Sequence, residues 1–252
     1  MKIISLNLHC LKEENIHEKM SRVARFILDN DIDICLLQEV AQLYNEKILY
    51  DNIKYGNNAD ILLSFLENKY HIYFEAKKLG FGIYEEGLAI LSKNPLINKG
   101  YAYISHSVDF NNWMTRIALF ADYNNITFYN IHLGWSIGDE TIEYQIDNLA
   151  KMAKEHSNLV MILGDYNCCH NSPQYKYFLN KGFLSVTDIL NIDILNTPTF
   201  IRDLDNGQKD NRVIDHIFIN KPINFKDYKV IFNDNTVSDH NLVYLEFEEI
   251  GE

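Results

Sequence analysis

The sequence predicts a layered α/β domain in which strands dominate and three or four helices lie outside, on three observations. Short apolar runs recur along the chain and end in polar groups, as in "YNIHLGW" at 129–135 and "MILGDYN" at 161–167. Between them lie stretches with helical spacing, such as Ile16, Met20, Val23, Ala24 and Ile27 within 15–31. The composition, 47% hydrophobic and 23% charged with 16 Tyr and 14 Phe, suits an ordered, sheet-rich chain, since disorder would need fewer aromatics. The 252 residues allow one sizeable core, and no linker, repeat or low-complexity tract divides them, so one domain is expected over 1–252.

The first strand is expected over 3–8, with Ile4, Leu6 and Leu8 on one face. The helix over 15–31 leads to a strand over 32–40, apolar almost throughout until Gln38 and Glu39 and dense enough to be covered on both faces. A helix over 58–67 runs through Ala59, Leu62 and Leu66. A strand over 70–76, a glycine-bearing loop over 79–87 and a strand over 88–93 follow. Residues 117–133 read as a hairpin turning at Asn124–Asn125. The helix over 140–154 sets Ile142, Ile146, Leu149 and Ala153 on one side, with Asp139 near its start, where an acid is favourable. After a buried strand at 158–165, a helix over 171–182 takes Ser172 as cap, Pro173 at its first position and Gly182 as its stop. Residues 191–213 are the least regular, and strands over 213–220 and 241–250 close the chain.

A formal charge of −12 disfavours loose adhesion to nucleic acid or anionic membrane, although a basic groove or a bound cation would change the field at a site. Cys10, Cys35, Cys168 and Cys169 lack CxxC spacing and read as reduced thiols. The opening "MKIISLNLHC" reads as a strand rather than a signal peptide, and no run approaches the about 18 apolar residues of a membrane span. The expected setting is cytoplasmic, with no membrane partner.

The polar strand ends are Asn7, Glu39, Glu86 (just before its run), His132, Asp165 with Asn167, and Asp239 with His240. Singly, each has an ordinary explanation: an Asx turn in "GDYN", strand caps at Asp239–His240 and Asp215–His216, a solvated Glu39, an edge His132. Together they suit a carboxylate-bound Mg²⁺ and a phosphoryl group ringed by donors. Asp165 and Asn167 face the same way if the strand persists that far. The cysteines are too few and poorly spaced for structural zinc. The absence of a phosphate loop, a G-x-G-x-x-G fingerprint and a G-x-S-x-G elbow argues against nucleotide motors, dinucleotide enzymes and serine hydrolases. Metal-assisted phosphoester hydrolysis remains.

Asn7, "QE" at 38–39, "EGLAILS" at 86–92, "NIHL" at 130–133, "GDYN" at 164–167, "DH" at 215–216 and "SDH" at 238–240 occur in order. Together they resemble the endonuclease/exonuclease/phosphatase superfamily, the fold of DNase I-like nucleases, neutral sphingomyelinases and several phosphatases. The resemblance runs from residue 5 to the last strand. It implies a four-layered α/β sandwich, two mixed sheets packed face to face with helices outside. It also implies a phosphoester hydrolase that uses Mg²⁺, with Mn²⁺ as the alternative, and direct in-line attack of water with inversion at phosphorus. By that likeness Glu39 is the principal metal ligand, with Asn7 and Asp239 close by. Asp165 orients or deprotonates the water, and Asn167 helps to hold the phosphate. His132 and His240 contact its non-bridging oxygens, backed by Glu86 and Asp215 respectively. Two positions depart from the pattern. His9 stands where many nucleases of this type carry an acid and a second metal ligand, and is grouped here with the substrate-facing residues. His216 stands where several relatives have an aromatic.

Trp113, Arg116 and Trp135 bear on the substrate. An aromatic plane can stack on a sugar or a base, and Arg116 can take a phosphate with two parallel donors. The plain alternatives are a Trp135 that packs its loop and an Arg116 on a strand surface. "HLGW" at 132–135 is similar to the segment in bacterial phosphatases acting on phosphorylated disaccharides, maltose 6'-phosphate in particular, which usually show a second Trp where this chain has Ser136. The expected partner is therefore a small phosphorylated sugar. A nuclease or apurinic-site enzyme would want a basic track, and Lys77–Lys78 is the one adjacent basic pair ahead of a site loop. A sphingomyelinase-like activity would want an export signal or an amphipathic membrane segment. A non-catalytic binder has little reason to keep Glu39, Asp165, Asp215 and Asp239 beside two histidines.

Overall fold

The structure is a computed structural model that describes residues 1–10, 14–232 and 236–248. Strand β1 (Lys2–Asn7) leads through helix α1 (Ile16–Asp29) to β2 (Ile34–Leu43). A short hairpin, β3 (Ile48–Tyr50) with β4 (Ile53–Lys54), precedes α2 (Asn58–Ser64), whose first amides are capped by the Asn57 side chain. β5 (His71–Gly80) and β6 (Tyr84–Ser92) form a long hairpin, and β7 (Ile97–Tyr103), β8 (Ile117–Tyr123) and β9 (Ile126–His132) a meander. Helix α3 (Ile142–Ala153) leads to β10 (Leu159–Asp165), and α4 (Pro173–Asn180) starts at the Ser172 cap. The rest comprises β11 (Leu184–Ser185), α5 (Val186–Ile189), β12 (Phe200–Asp203), β13 (Lys209–Arg212), β14 (Asp215–Ile219), β15 (Phe225–Ile231) and β16 (Leu242–Phe247).

The two large sheets repeat one plan. The two six-stranded sheets run β15-β16-β1-β2-β6-β5 and β11-β14-β10-β9-β8-β7. In each, the central pair is parallel and joined through a helix (β1-α1-β2, β9-α3-β10), and every other pairing is antiparallel. Ile34, Leu36, Val243, Phe128, Met161 and Leu163 meet in the layer between the sheets. On the outer face of the first sheet Leu6 and Leu37 pack against Met20, Val23 and Ile27 of α1. On that of the second, Ile131 and Ile162 pack against Ile146 and Leu149 of α3 and Phe178 of α4. The result is the four-layered α/β sandwich. Covering both faces of β9 and β10 explains why their sequences are apolar without alternation.

The same plan gathers the polar ends. The parallel strands β1, β2, β9 and β10 carry Asn7, Glu39, His132 and Asp165 to one edge, and antiparallel β14 places Asp215 opposite Asp165. A buried polar bridge fixes the two sheets beneath them. Gln38 Nε2 donates to Asn130 Oδ1 at 2.7 Å, and Asn130 Nδ2 donates to the carbonyls of Leu37 and Ala89 at 2.9 Å each.

Several expected elements change. The loop over 79–87 is a tight hairpin, with Gly80 and Tyr84 paired across it, so Glu86 lies inside β6. The helix start near Asp139 is capped by Thr141, whose hydroxyl accepts from the Tyr144 amide. Residues 191–213 contain the β12–β13 hairpin, and β7 and β15 are additional edge strands, half exposed and too polar to show a run. Five α-helices are described, two of them short. Residues 249–250 of the expected last strand lie outside the described residues. Among the described residues, no helix is long and apolar enough to cross a membrane.

His216 occupies an aromatic layer, its ring centroid 5.4 Å from that of Tyr166 and 5.0 Å from that of Tyr175. Its Nε2–H donates to the Cys168 carbonyl at 2.9 Å, and buried Nδ1 has no partner. Burial lowers its pKa from 6.5 to about 4, against the opposing pull of the Cys168 carbonyl. Between those values the unfolded chain binds a proton that the folded protein refuses, so stability falls as pH drops through this window and is fully present above it. His216→Phe is expected to flatten the acid limb of stability, removing roughly 2 kcal/mol of the loss between about pH 7 and pH 5. Thermal unfolding across that range checks it, and parallel curves for the two proteins would refute it.

Candidate active site

A bulge sets the first carboxylate. The pairing of β2 with β6 shifts register between Leu37 and Val40, leaving Gln38 and Glu39 unmatched there. Glu39 takes a left-handed φ of 48°, a conformation a branchless glycine would adopt more readily. Gln38 thus points into the sheet interface while Glu39 faces the cleft. On β10, only a glycine fits before Asp165: Gly164 has φ 144°, and a Cβ there would lie 1.9 Å from the Ile131 carbonyl.

Asn7 ties the two acids together, its Nδ2 donating to Glu39 Oε1 and to Asp165 Oδ2 at 3.1 Å each. Asn7 Oδ1 accepts from the His9 amide at 2.9 Å. The Cys10 thiol donates to Glu39 Oε2 at 2.7 Å. His240 Nδ1 bonds Asp215 Oδ2 at 2.9 Å, and its Nε2 faces Asp165 Oδ2 at 3.6 Å. His132 Nε2 approaches the same oxygen to 3.6 Å and Glu39 Oε1 to 4.0 Å. Ser238 pins the segment ahead of β16 to the tip of β1 through its hydroxyl and the Asn7 carbonyl, 2.8 Å apart. This brings Asp239 beside His9, with Oδ1 and Nδ1 3.6 Å apart.

β10 stops at Asp165, so Asn167 does not continue a strand face. Its amide donates to Asp165 Oδ1 at 2.8 Å in an Asx turn, and its φ of 49° returns the side chain to the cleft wall. The turn and the site are therefore one structure rather than alternatives. Glu86 stands 3.8 Å from His132 Nδ1, beyond hydrogen-bond reach, and pairs instead with Lys78 at 2.5 Å. Arg116 is buried rather than on a strand surface. Its Nη1 donates to the carbonyls of Trp113 and Thr115, so a fork of two free parallel donors is not available from that end, and its Nε has no partner.

The electrostatics separate the titrating groups. Burial raises the Asp165 pKa to about 7, helped by the charges of Asp215 and Glu39 and opposed by His240. Burial alone would depress His240, but Asp215 and Asp165 outweigh it and push it up to about 10. Burial, then the charges of Arg116, Lys78 and His240, hold His132 well below 6.5. The arrangement thus offers a carboxylate able to take a proton next to a charged imidazole that can donate one.

Glu39, His132 and Asp165 present ligand atoms within 4.8 Å of one another. Hard oxygens dominate this set, and among the described residues no lysine or arginine hydrogen-bonds either carboxylate. The donors fit a divalent cation of the Mg²⁺ kind.

A cavity of about 1030 Å³ opens above these groups. Trp113 and Trp135 stand at its mouth, half exposed, with ring centroids 6.0 Å apart and planes at 51°. The β12–β13 hairpin forms the opposite wall through Phe200, Arg202 and Arg212, residues that the irregular sequence of 191–213 hides. Asn206–Gly207 is its turn signal, between the paired Leu204 and Gln208. Lys78, of the basic pair ahead of the loop, also lines the cavity, as do Cys10 and Tyr84, which nothing in their local sequence marks.

Residues 4–240 match the model of a family described as the Endonuclease/Exonuclease/phosphatase family. The structure of an endonuclease/exonuclease/phosphatase family protein from Leptotrichia buccalis C-1013-b is similar at a TM-score of 0.86 and 27% identity, over 98% of this chain and 99% of that one. The mannosyl-6-phosphatase of Bacteroides thetaiotaomicron VPI-5482 is similar at 0.74 and 18%, over 98% and 99%. TDP2 from Caenorhabditis elegans is similar at 0.64 and 17%, over 98% and 74%. The last two are likenesses of fold alone. No curated protein matches the sequence.

Proposed function

The chain belongs to the endonuclease/exonuclease/phosphatase family, whose members are generally phosphoester hydrolases, and on that premise we propose that it is a Mg²⁺-dependent phosphomonoesterase acting on a small phosphorylated sugar such as a disaccharide 6'-phosphate. The observation that carries the substrate class is the cavity itself, with acids and imidazoles at its floor and the angled Trp113–Trp135 pair at its mouth. Indole faces suit sugar rings, and a mannosyl-6-phosphatase shares the fold.

Glu39, with Asp239 and with Asn7 once its amide is turned so that the oxygen rather than Nδ2 faces the acids, would hold the cation, whose chemistry is to withdraw charge from phosphoryl oxygens. Asp165 takes the proton of the attacking water, a role suited to a carboxyl raised to about 7. His240, kept charged and oriented by Asp215, donates to a phosphoryl oxygen through Nε2. His132 and Asn167 border the same space, and Asn7 keeps Asp165 and Glu39 in register. Arg116 contributes positive charge from behind the floor. His9 lines the cavity beside Asp239. The four free cysteines support a cytoplasmic setting.

Phosphate release with Mg²⁺ from glucose 6-phosphate and maltose 6'-phosphate, with an abasic DNA duplex in parallel, tests the reading. Release from the disaccharide phosphate is expected, with KM raised about five- to tenfold in Trp135→Ala, the size of one lost stacking contact. Nicked DNA with the sugars untouched would replace the phosphatase by a nuclease.

A further inference from the structure

Glu39 has two faces. Oε1 looks toward Asn7, Asp165 and His132, while Oε2 receives the Cys10 thiol. Behind it lies a second group of ligand atoms, from Cys10, Glu39 and Glu86, all within 4.8 Å of one another. Lys78 pairs with Glu86 through Oε1, and Cys10 lies beside the same carboxylate. Tyr84, one strand position from Glu85, packs on Cys10, and its buried hydroxyl, which lies beside that thiol and the two acids, makes no hydrogen bond of good geometry. A buried hydroxyl left without a well-formed hydrogen bond next to two carboxylates and a thiol is a group with a place for a ligand.

The backbone fixes the thiol there. His9 and Cys10 are both left-handed, with φ 54° and 56°, which folds the chain back under Glu39 after β1. Asn58, fully buried at the start of α2, donates to the Cys10 carbonyl at 3.0 Å and accepts from the Ala41 amide on β2 at 3.0 Å. Cys10, Glu39, Tyr84 and Glu86 all line the large cavity, so an ion reaches them from solvent.

We propose that Cys10, Glu39 and Glu86 form a second cation site beside the hydrolytic one, selective for a borderline divalent ion of the zinc class over Mg²⁺, with Glu39 shared between the two. One sulfur and two carboxylate oxygens leave a fourth, tetrahedral position for the Tyr84 phenol or a water. Mg²⁺ keeps to oxygen ligands and near-octahedral geometry, so the thiol excludes it. On binding, the Cys10 proton passes to bulk buffer and a metal–sulfur bond replaces the S–H bond, with no change of oxidation state. The site does not depend on which phosphoester is cleaved.

Cobalt(II), a spectroscopic stand-in for zinc, tests this in the full-length protein under excess Mg²⁺. A sulfur-to-cobalt charge-transfer band is expected to rise to one equivalent and to be bleached by Zn²⁺. Cys10→Ser should abolish the band and weaken cobalt binding at least tenfold. Cys169→Ser, which removes the exposed thiol, and Asp165→Asn should both retain it. Glu86→Gln, a second route that leaves the thiol in place, should keep the band but weaken affinity about tenfold. No band at saturating cobalt, an equal band in Cys10→Ser, or unchanged affinity in Glu86→Gln would overturn the proposal. Because the readout is absorption rather than turnover, failure here leaves the phosphatase assay untouched, and failure there leaves this site untouched.

Discussion

Asp165→Asn is expected to lower kcat by about a thousandfold, within the range set by loss of a positioned general base. The substitution preserves shape and removes only the capacity to take a proton. Both carboxylate oxygens accept hydrogen bonds, Oδ2 from Asn7 and Oδ1 from the Asn167 amide, so an amide here turns one donor toward another. That contact costs about 1–3 kcal/mol. Against it, the ionised acid is itself disfavoured by burial, as its raised pKa records, and a neutral amide escapes that penalty. The two effects oppose, so the melting temperature should change little while activity collapses. Steady-state kinetics with melting curves on the same preparation separate the cases. Activity within tenfold of wild type would remove Asp165 from the role of base.

Glu39→Gln should be nearly as damaging, about a thousandfold in kcat/KM, which corresponds to roughly 4 kcal/mol of charge stabilisation in the transition state. The amide has the same outline but supplies no charge, and one of its ends must face Asn7 Nδ2 or the Cys10 thiol. Mg²⁺ titration by calorimetry should show affinity lost rather than moved, and rising Mg²⁺ should not restore the rate. In the wild type, EDTA should silence turnover and added Mg²⁺ or Mn²⁺ should return it. Full activity in EDTA would contradict the metal dependence.

The central strands were legible because burial on both faces leaves an apolar run that no other structure explains as well. β2, β9 and β10 are of this kind. The edge strands β7 and β15 were not, since solvent on one side allows Asn98, Lys99, Lys226 and Lys229 among their residues. The polar tips could be read as candidates one at a time, and the order of the motifs joined them. Their convergence depends on two parallel βαβ units facing each other, which no single segment records. Arg116 illustrates the opposite difficulty. Its burial follows from the loop carbonyls of Trp113 and Thr115 folding around its guanidinium, and nothing in "NWMTRIALF" distinguishes that from an exposed strand arginine. Glu86 is legible as an acid near a site, but its pairing with Lys78 depends on the β5–β6 pairing running on through residues 79–87, which read as a loop between two strands.

The pairing of β1 with β16 has a consequence for how the protein is made. The amine of Met1 donates to the carbonyl of Phe247, 246 residues away, and the Ser238 hydroxyl reaches the Asn7 carbonyl across 231 residues. At ribosomal speeds, β1 waits roughly ten to fifty seconds for that partner. Throughout the wait the emerging chain can pair β1 with β2 but leaves its other edge open, an invitation to the wrong strand from a neighbouring polypeptide. Contacts of such sequence separation also make refolding slow, on the side of seconds rather than microseconds. When β16 docks it closes that edge and, in the same movement, delivers Asp239 and His240. Translation therefore yields an inert precursor with an open edge until its closing strand arrives, and competence appears together with the covering of that edge.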